Sequence, residues 1–458
     1  MGAARAPVNL ASLLVDHPFA DDEPLLCTVD GCVTAGEARQ EAAGIAEQLL
    51  SHDLEPGRAV AVQLPNDPRA VIAMFGVWLA GGVFVPLNPR QTDAEVGAAL
   101  DATGPALFVG PDGVRSPPGT ARVYDTDTAF VTWTSGTTGL PKPVLQTHSG
   151  YFELLERVLG TLQVDPAKRP APNLIPVPLA LNAGIYNVLF GLRAGAAIVI
   201  MERFVTADFA ELVRRFEIRS TVLPPAAMTM LADDDAVTDL APLRYVRSIT
   251  APLSPLTARR FRDKFGVTVL NGYGQAELGE VIGWTAADAR EHPDKIGAVG
   301  RPHPGVAIKF SDSGELLVRP PRTAADLDRS RIDADGFVHT GDLARIDDDG
   351  FVWIEGRLGD VINRGGNKVF PEHVEEVLRL SPGVRDVAVV GVPDERLGEV
   401  PVAFVVGDVD ESALEALCRE HLVPYKIPAA FVTVESLPRS EVGKVLRRQL
   451  AASYGQRP

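Results

Sequence analysis

The chain has 458 residues, 46% of them hydrophobic and 23% charged, enough for two or three packed units with the balance of a globular protein. Its 42 glycines and 37 prolines show no period, which excludes a collagen-like or low-complexity chain. A formal net charge of −16 argues against a nucleic-acid surface, so any anion must be met by a local positive site.

The three cysteines, Cys27, Cys32 and Cys418, have no metal-ligand spacing and no even-numbered framework, so they are expected to be packed thiols in a reducing compartment. The first residues, MGAARAPVNL, hold no apolar stretch of signal-peptide length, and a cytoplasmic location is expected. In chain order, Leu25–Val29 and Cys32–Thr34 flank the turn pair Asp30-Gly31, a hairpin signal. A helical pattern over Ala35–Leu50 and a strand over Val60–Leu64 follow. The uncharged stretch Ala70–Leu87 is long enough to suggest a membrane span. Asn66-Asp67-Pro68 reads as a helix start and Gly81-Gly82 as its end, which splits the stretch into a helix and a buried strand and predicts no span.

Apolar runs at Ala106–Val109, Phe130–Trp133, Ala196–Met201, Ser220–Leu223, Tyr245–Ile249 and Val267–Leu270 alternate with helical segments such as Asp208–Phe216, the signature of α/β layers. Beyond Gly297 the texture becomes short strands and Gly, Pro and Asp turns, which predicts a β-rich subdomain. From Asp360 onward about 100 residues read as a small α+β domain, with strands at Val361–Arg364, Val387–Val392 and Val400–Val406 and helices at Pro371–Leu380 and Glu411–His421. The fold class expected is α/β: a large domain over residues 1–357 and a small, mobile α+β domain over 358–458, with Gly356 and Gly359 supplying hinge freedom.

The strongest local signal is Thr134-Ser135-Gly136-Thr137-Thr138-Gly139-Leu140-Pro141-Lys142, directly after an apolar strand. Glycines allow close backbone approach, hydroxyls and N–H groups can face one point, and Lys142 adds positive charge, so the segment reads as a phosphate cradle. It lacks Walker spacing, and Pro143 opposes a helix there. In Asn271-Gly272-Tyr273-Gly274-Gln275-Ala276-Glu277, the Tyr273 ring has glycines on both sides and Glu277 offers a carboxylate for a hard cation. In His339-Thr340-Gly341-Asp342-Leu343, Asp342 could accept hydrogen bonds from a vicinal diol. Two further segments are Gly356–Asn363, with two glycines and Arg357, and Leu437–Arg447, with Gly443 next to Lys444. Taken singly, the segments after the first are more often surface loops or turns.

Together, in this order and spacing, they resemble the adenylate-forming superfamily, which includes acyl-CoA synthetases, adenylation domains of nonribosomal peptide synthetases and beetle luciferases. The likeness spans nearly the whole chain, from Pro56-Gly57-Arg58 and Val85–Pro89 to Asn367–Pro371 with Glu375 and Tyr425–Pro428. The resemblance implies ATP, Mg2+ and coenzyme A as ligands and a small-molecule carboxylic acid as substrate. It implies that Thr134, Ser135, Gly136, Thr137, Thr138, Gly139 and Lys142 embrace the ATP phosphates. Ala251, Pro252, Asn271, Gly272, Tyr273, Gly274 and Gln275 would surround the adenine. Asp342 would take the ribose, Arg357 would reach the nucleotide, Glu277 would hold Mg2+, and Lys444 would bridge the carboxylate and the α-phosphate. The acyl pocket is expected from Ala180, Leu181, Ala183, Gly184, Thr250, Gly272 and Gly279, the coenzyme A contacts from Gly365, Gly366 and Lys368, and the hinge at Gly359.

The chain departs from the family at Ala276, where a Thr is common, at Pro143, where Gly often follows the lysine, and at Ile249-Thr250, where Gly-Gly is frequent. Ala180 and Leu181 replace an aromatic residue and a His, so the pocket is expected to be apolar and wider there. No Asp lies between Leu174 and Leu192 to pair with an ammonium, which argues against an α-amino acid. The leading expectation is an acyl- or aryl-CoA ligase. The alternatives are a stand-alone enzyme loading an acyl carrier protein and a nucleotide-binding sensor without catalysis.

Overall fold

A computed structural model of the chain describes residues 8–135, 141–160, 169–249, 251–275, 278–321, 323, 327–439 and 445–455; the side chains of residues 134, 135, 141 and 142 fall outside that description. A six-stranded sheet orders Gly113–Arg115, Leu107–Gly110, Ala59–Val62, Val83–Pro86, Thr128–Ser135 and Pro141–Thr147. The four inner strands run parallel and the outer pair antiparallel. Three parallel strands, Asn173–Ile175, Ile198–Ile200 and Pro24–Cys27, form a second sheet, closed by the antiparallel Cys32–Thr34. The third sheet is wholly parallel: Ser220–Leu223, Tyr245–Ser248 and Thr268–Leu270.

The helix Pro68–Leu79 shows why the first half folds as layers. Asp67 accepts from the Arg69 amide at 2.9 Å, Pro68 fills the first turn where no amide donor is needed, and every residue from Ala70 to Trp78 is buried. Its apolar length is therefore that of a core helix, and among the described residues no helix is long and apolar enough to cross a membrane. Trp78 is fully buried, and its indole N–H donates to the Ala129 carbonyl at 2.7 Å, which ties the helix to the strand that leads into the Thr134–Lys142 segment.

The short strands expected beyond Gly297 are present, and from residue 272 to Arg357 they pair antiparallel. Gly272–Gln275, Gly279–Gly283 and Arg301–Pro302 form one sheet, and Ala307–Phe310, Glu315–Arg319, Val338–Ile346 and Val352–Arg357 another. The C-terminal sheet orders Asn367–Val369, Ile362–Arg364, Gly398–Gly407 and Val384–Asp394, with Ala430–Thr433 parallel to Gly398–Gly407. Helices Pro371–Leu378 and Glu411–His421 cover it, and Val374, Leu378, Leu414 and Cys418 share a core with Val387, Val389 and Val405.

Two expectations need correction. Cys27 and Cys32 are not isolated packed thiols; they face each other across the hairpin and form a disulfide, leaving Cys418 as the buried free thiol. The cysteine-based argument for a reducing compartment therefore falls. The segment Thr134–Lys142 is also not one continuous loop: Thr134 pairs with Lys142 and Ser135 with Pro141 in a ladder, so its flanks are strands and only 136–140 lie outside the description. Pro141 and Pro143 lack amide donors and sit on an edge strand, where that lack is tolerated.

Truncating Trp78 to Ala removes a buried ring and its hydrogen bond. Denaturant unfolding of the N-terminal region should show a loss of about 3–5 kcal/mol, and a change within 1 kcal/mol would mean the helix is not the keystone of that layer.

Candidate active site

In open parallel sheets, ligands bind beyond the carboxyl ends of the strands, where loops diverge. Ser220–Leu223, Tyr245–Ser248 and Thr268–Leu270 end level, with Leu223 opposite Ser248 and Arg247 opposite Leu270. Their exits carry Ala251 and Pro252, both exposed, and then Asn271 to Gln275. Asn173–Ile175 in the neighbouring sheet exits toward Ala180–Gly184, and Thr221 Oγ1 donates to the Leu174 carbonyl at 2.7 Å, which holds the two sheets together. The predicted adenine and acyl segments thus leave neighbouring strand ends. Thr250, Ala276, Glu277 and Lys444, with Gly136, Thr137, Thr138 and Gly139, lie outside the described residues.

The best-defined constellation centres on Asp342, which is 4% exposed. Oδ2 accepts from the Tyr273 hydroxyl at 2.5 Å and from Gln275 Nε2 at 3.0 Å, while Oδ1 pairs with Arg357 Nε at 2.7 Å. Gln275 also donates to the Thr340 carbonyl at 2.8 Å, and its Oε1 accepts from Arg331, which grips the His339 carbonyl as well. Burial, with the adjacent Asp342 charge, pushes the Tyr273 hydroxyl above its ordinary range, so it stays protonated and donates. Asn271 is buried, its Oδ1 accepting from the Gly272 amide and its Nδ2 donating to the Ala298 carbonyl. Gly274 must be glycine: a Cβ there would stand 2.2 Å from the Gly279 carbonyl oxygen across the hairpin. Of the predicted nucleotide residues, the structure brings Tyr273, Gln275, Asp342 and Arg357 into mutual contact.

Around the predicted acyl pocket, Ala180, Leu181 and Ala183 are partly exposed and Gly184 is buried where the loop turns into the helix Asn182–Arg193. Gly279 has φ +67 and open space where a Cβ would stand. Sequence reasoning missed the polar groups next to Gly279. Arg247 pairs with Glu280 Oε1 at 2.5 Å, and His303 Nε2 lies 3.1 Å from the same oxygen. The available signals were an Arg within an otherwise apolar strand and a Glu directly after Gly279.

Gly365 and Gly366 form an exposed hairpin turn in the C-terminal unit, and Lys368 Nζ reaches the Ser313 carbonyl of the β-rich region at 3.4 Å. Gly359 sits in the turn Leu358–Asp360 with open space around it and no positive φ, so its conformation is open to any residue. Gly356, with φ +152, is the restrictive position: a Cβ there would stand 2.9 Å from Glu372 Oε2. Beside it is an unforeseen charge cluster. Arg447 donates to Glu375 at 2.5 Å and to the Val389 carbonyl at 2.6 Å, with Glu372 at 3.3 Å and Asp360 at 3.6 Å. Burial works against the Glu375 charge, but Arg447 and Arg379 outweigh it and hold that carboxyl below its ordinary range. Glu372 goes the other way, pushed up to about 7 by burial; its Oε2 is buried with no hydrogen-bond partner among the described residues.

Among the described residues no three His, Cys, Asp or Glu side chains form a metal-binding group. A Mg2+ ion carried largely by nucleotide phosphates needs only one or two protein carboxylates, and the candidate, Glu277, follows Gln275 at the edge of this site.

Comparison with known proteins gives a concordant picture. The family model described as AMP-binding enzyme matches residues 19–122 and 114–325, and that of the AMP-binding enzyme C-terminal domain matches 373–444. The 4-coumarate-CoA ligase 1 of Narcissus pseudonarcissus is 28% identical, over 95% of this chain and 91% of that protein. The structure of ATP-bound MatB from Rhodopseudomonas palustris aligns with a TM-score of 0.84 at 25% identity, covering 98% of this chain and 99% of that one. The o-succinylbenzoate coenzyme A synthetase of Bacillus subtilis, in complex with ATP and magnesium ion, aligns with a TM-score of 0.82 at 26% identity, over 96% and 99% of the two chains.

The raised Glu372 carboxyl has a signed consequence. A carboxyl whose folded pKa lies above its unfolded one contributes stability that is complete below the ordinary carboxylate range and lost as pH rises through about 7. Between pH 5 and pH 8 the wild type should therefore lose on the order of 1–3 kcal/mol relative to Glu372→Gln, read as a pH-dependent difference in thermal midpoint. Parallel pH profiles for the two proteins would refute it.

Proposed function

Because the chain belongs to the AMP-binding enzyme family, on its acid–CoA ligase branch, we propose that it joins a carboxylic acid to coenzyme A through an acyl-adenylate, releasing pyrophosphate and then AMP. The observation that carries this reading is the convergence of Tyr273, Gln275 and Arg357 on the buried Asp342, at the carboxyl edge of a parallel sheet. A ribose diol needs a fixed acceptor, an adenine needs an aromatic face between glycines, and this constellation offers both in one place.

In the first half-reaction a carboxylate oxygen attacks the α-phosphorus of ATP, a P–O bond forms, and pyrophosphate leaves. Two unit negative charges about 4 Å apart repel by ~4 kcal/mol at an effective dielectric near 20, so positive charge at the junction is required. We assign that role to Lys444, and the grip on the β- and γ-phosphates to Thr134–Gly139 with Lys142. A bound Mg2+ on Glu277 would supply further charge neutralisation. In the second half-reaction the coenzyme A sulfur attacks the acyl carbon, a thioester forms, and AMP leaves. Gly365, Gly366 and Lys368 are our candidates for the coenzyme A path, and the turn holding Gly359 for the hinge that exchanges Lys444 for that path. ATP and coenzyme A are intracellular substrates, so we assign the reaction to the cytoplasm.

Lys444→Ala should lower acid-dependent pyrophosphate exchange by at least about a hundredfold, roughly 3 kcal/mol of transition-state stabilisation. Nearly full exchange in that variant would remove the lysine from the mechanism. Gly359→Pro should leave pyrophosphate exchange near wild type and slow thioester formation on coenzyme A by roughly tenfold or more; equal losses in both half-reactions would show that the turn is not a hinge.

A further inference from the structure

The Arg247–Glu280 pair lies beside Gly272 and Gly279, two of the residues expected to line the acyl pocket. Arg247 is on the strand whose exit carries Ala251 and Pro252, and Glu280 directly follows Gly279. Gly272 and Gly283 are cross-strand partners, and the Glu280 carboxylate lies over both. A Cβ at Gly272 would stand 3.2 Å from Oε1 and 3.4 Å from Oε2, and one at Gly283 only 2.6 Å from Oε1. The missing side chains are thus what admits this charged group beside the Gly272–Gln275 strand. Tyr186, one turn into the helix that begins at the Ala180–Ala183 loop, is close enough to feel both charges. Its hydroxyl is pushed up by burial, with the Glu280 charge adding to the effect and Arg247 opposing it, so all three groups share one electrostatic neighbourhood.

Each side chain of the ion pair is 35% exposed, and bonding capacity remains. Glu280 Oε1 takes both Arg247 and His303. Among the described residues, Glu280 Oε2 and the Nε and second terminal nitrogen of Arg247 engage no other partner, which leaves an acceptor and donors side by side.

We infer that the acid substrate carries at its far end an uncharged group that both donates and accepts a hydrogen bond, a hydroxyl being the simplest, placed between Glu280 and Arg247. The inference rests on the reading that this pocket takes the acid. A second carboxylate would gain from Arg247 and lose to Glu280, and an ammonium would do the reverse, because the pair is neutral as a unit. A hydroxyl donates to Glu280 and accepts from Arg247 with no net charge to desolvate. An unsubstituted chain end would cover the pair and leave its remaining acceptor and donors unpaired, the situation that polar recognition sites reject most strongly.

The test measures pyrophosphate exchange and coenzyme A thioester formation with matched acids. Phenylpropanoic and straight-chain acids of several lengths would be compared in unsubstituted, terminal-hydroxyl, terminal-carboxylate and terminal-amino forms. In at least one series the hydroxy acid should exceed its unsubstituted counterpart by roughly 10- to 100-fold in kcat/KM. Glu280→Ala should collapse that ratio toward one while leaving the KM for ATP unchanged, and Glu280→Gln, which keeps an acceptor oxygen, should retain part of it. Preference for the unsubstituted, dicarboxylic or amino form in every series, or an unchanged ratio in a Glu280→Ala protein with wild-type KM for ATP, overturns the inference while leaving the ligase reading intact. If no acid of any series supports exchange in the wild type, the ligase reading fails and takes the inference with it.

Discussion

A carboxylate with 4% exposure is tolerated only when its lone pairs are met, because burying an unpaired charge costs several kcal/mol. Asp342 meets that condition with donors from two sheets: Tyr273 and Gln275 from the glycine-rich hairpin, and Arg357 from its own antiparallel partner strand. The consequence is geometric. The hairpin leaving the parallel sheet is pinned to the β-rich region by charge-assisted bonds of 2.5 to 3.0 Å, so the residues assigned to adenine and ribose hold one another in place. Arg357 also stands immediately before the turn Leu358–Asp360, whose Asp360 lies 3.6 Å from Arg447.

That second unit is organised by an arginine of its own. Arg447 lies between Glu375, Glu372 and Asp360 and bonds the Val389 carbonyl, tying the last helix to the sheet and to the turn that enters the unit. Glu375 is satisfied by Arg447, Arg379 and the Val389 amide, whereas Glu372 is short of partners and presses toward Gly356.

Local elements were legible in the sequence wherever chain-neighbour chemistry decides them. Asp67, Pro68 and Gly81 bracket the helix Pro68–Leu79 to within two residues, and Ser220–Leu223 and Glu411–His421 have the expected bounds, since caps and periodicity act over a few residues. The family pattern pointed to Tyr273 and Asp342, but not to the bond between them, which spans 69 positions. The Cys27–Cys32 disulfide escaped because it depends on hairpin register, which composition does not set. Arg247 and Glu280 escaped for a related reason. Each alone is an ordinary surface charge, and only the packing of the strand Tyr245–Ser248 beside the hairpin that carries Gly272 and Gly283 makes them a pair.

The central claim is that the acid's own oxygen becomes bonded to the α-phosphorus. The direct measurement supplies acid labelled with oxygen-18 in its carboxylate, together with ATP and coenzyme A, and analyses the nucleotide product by mass spectrometry. The account predicts one labelled oxygen in AMP for each thioester formed and none in pyrophosphate. Label in inorganic phosphate with ADP as the nucleotide product would show attack at the γ-phosphorus and contradict it.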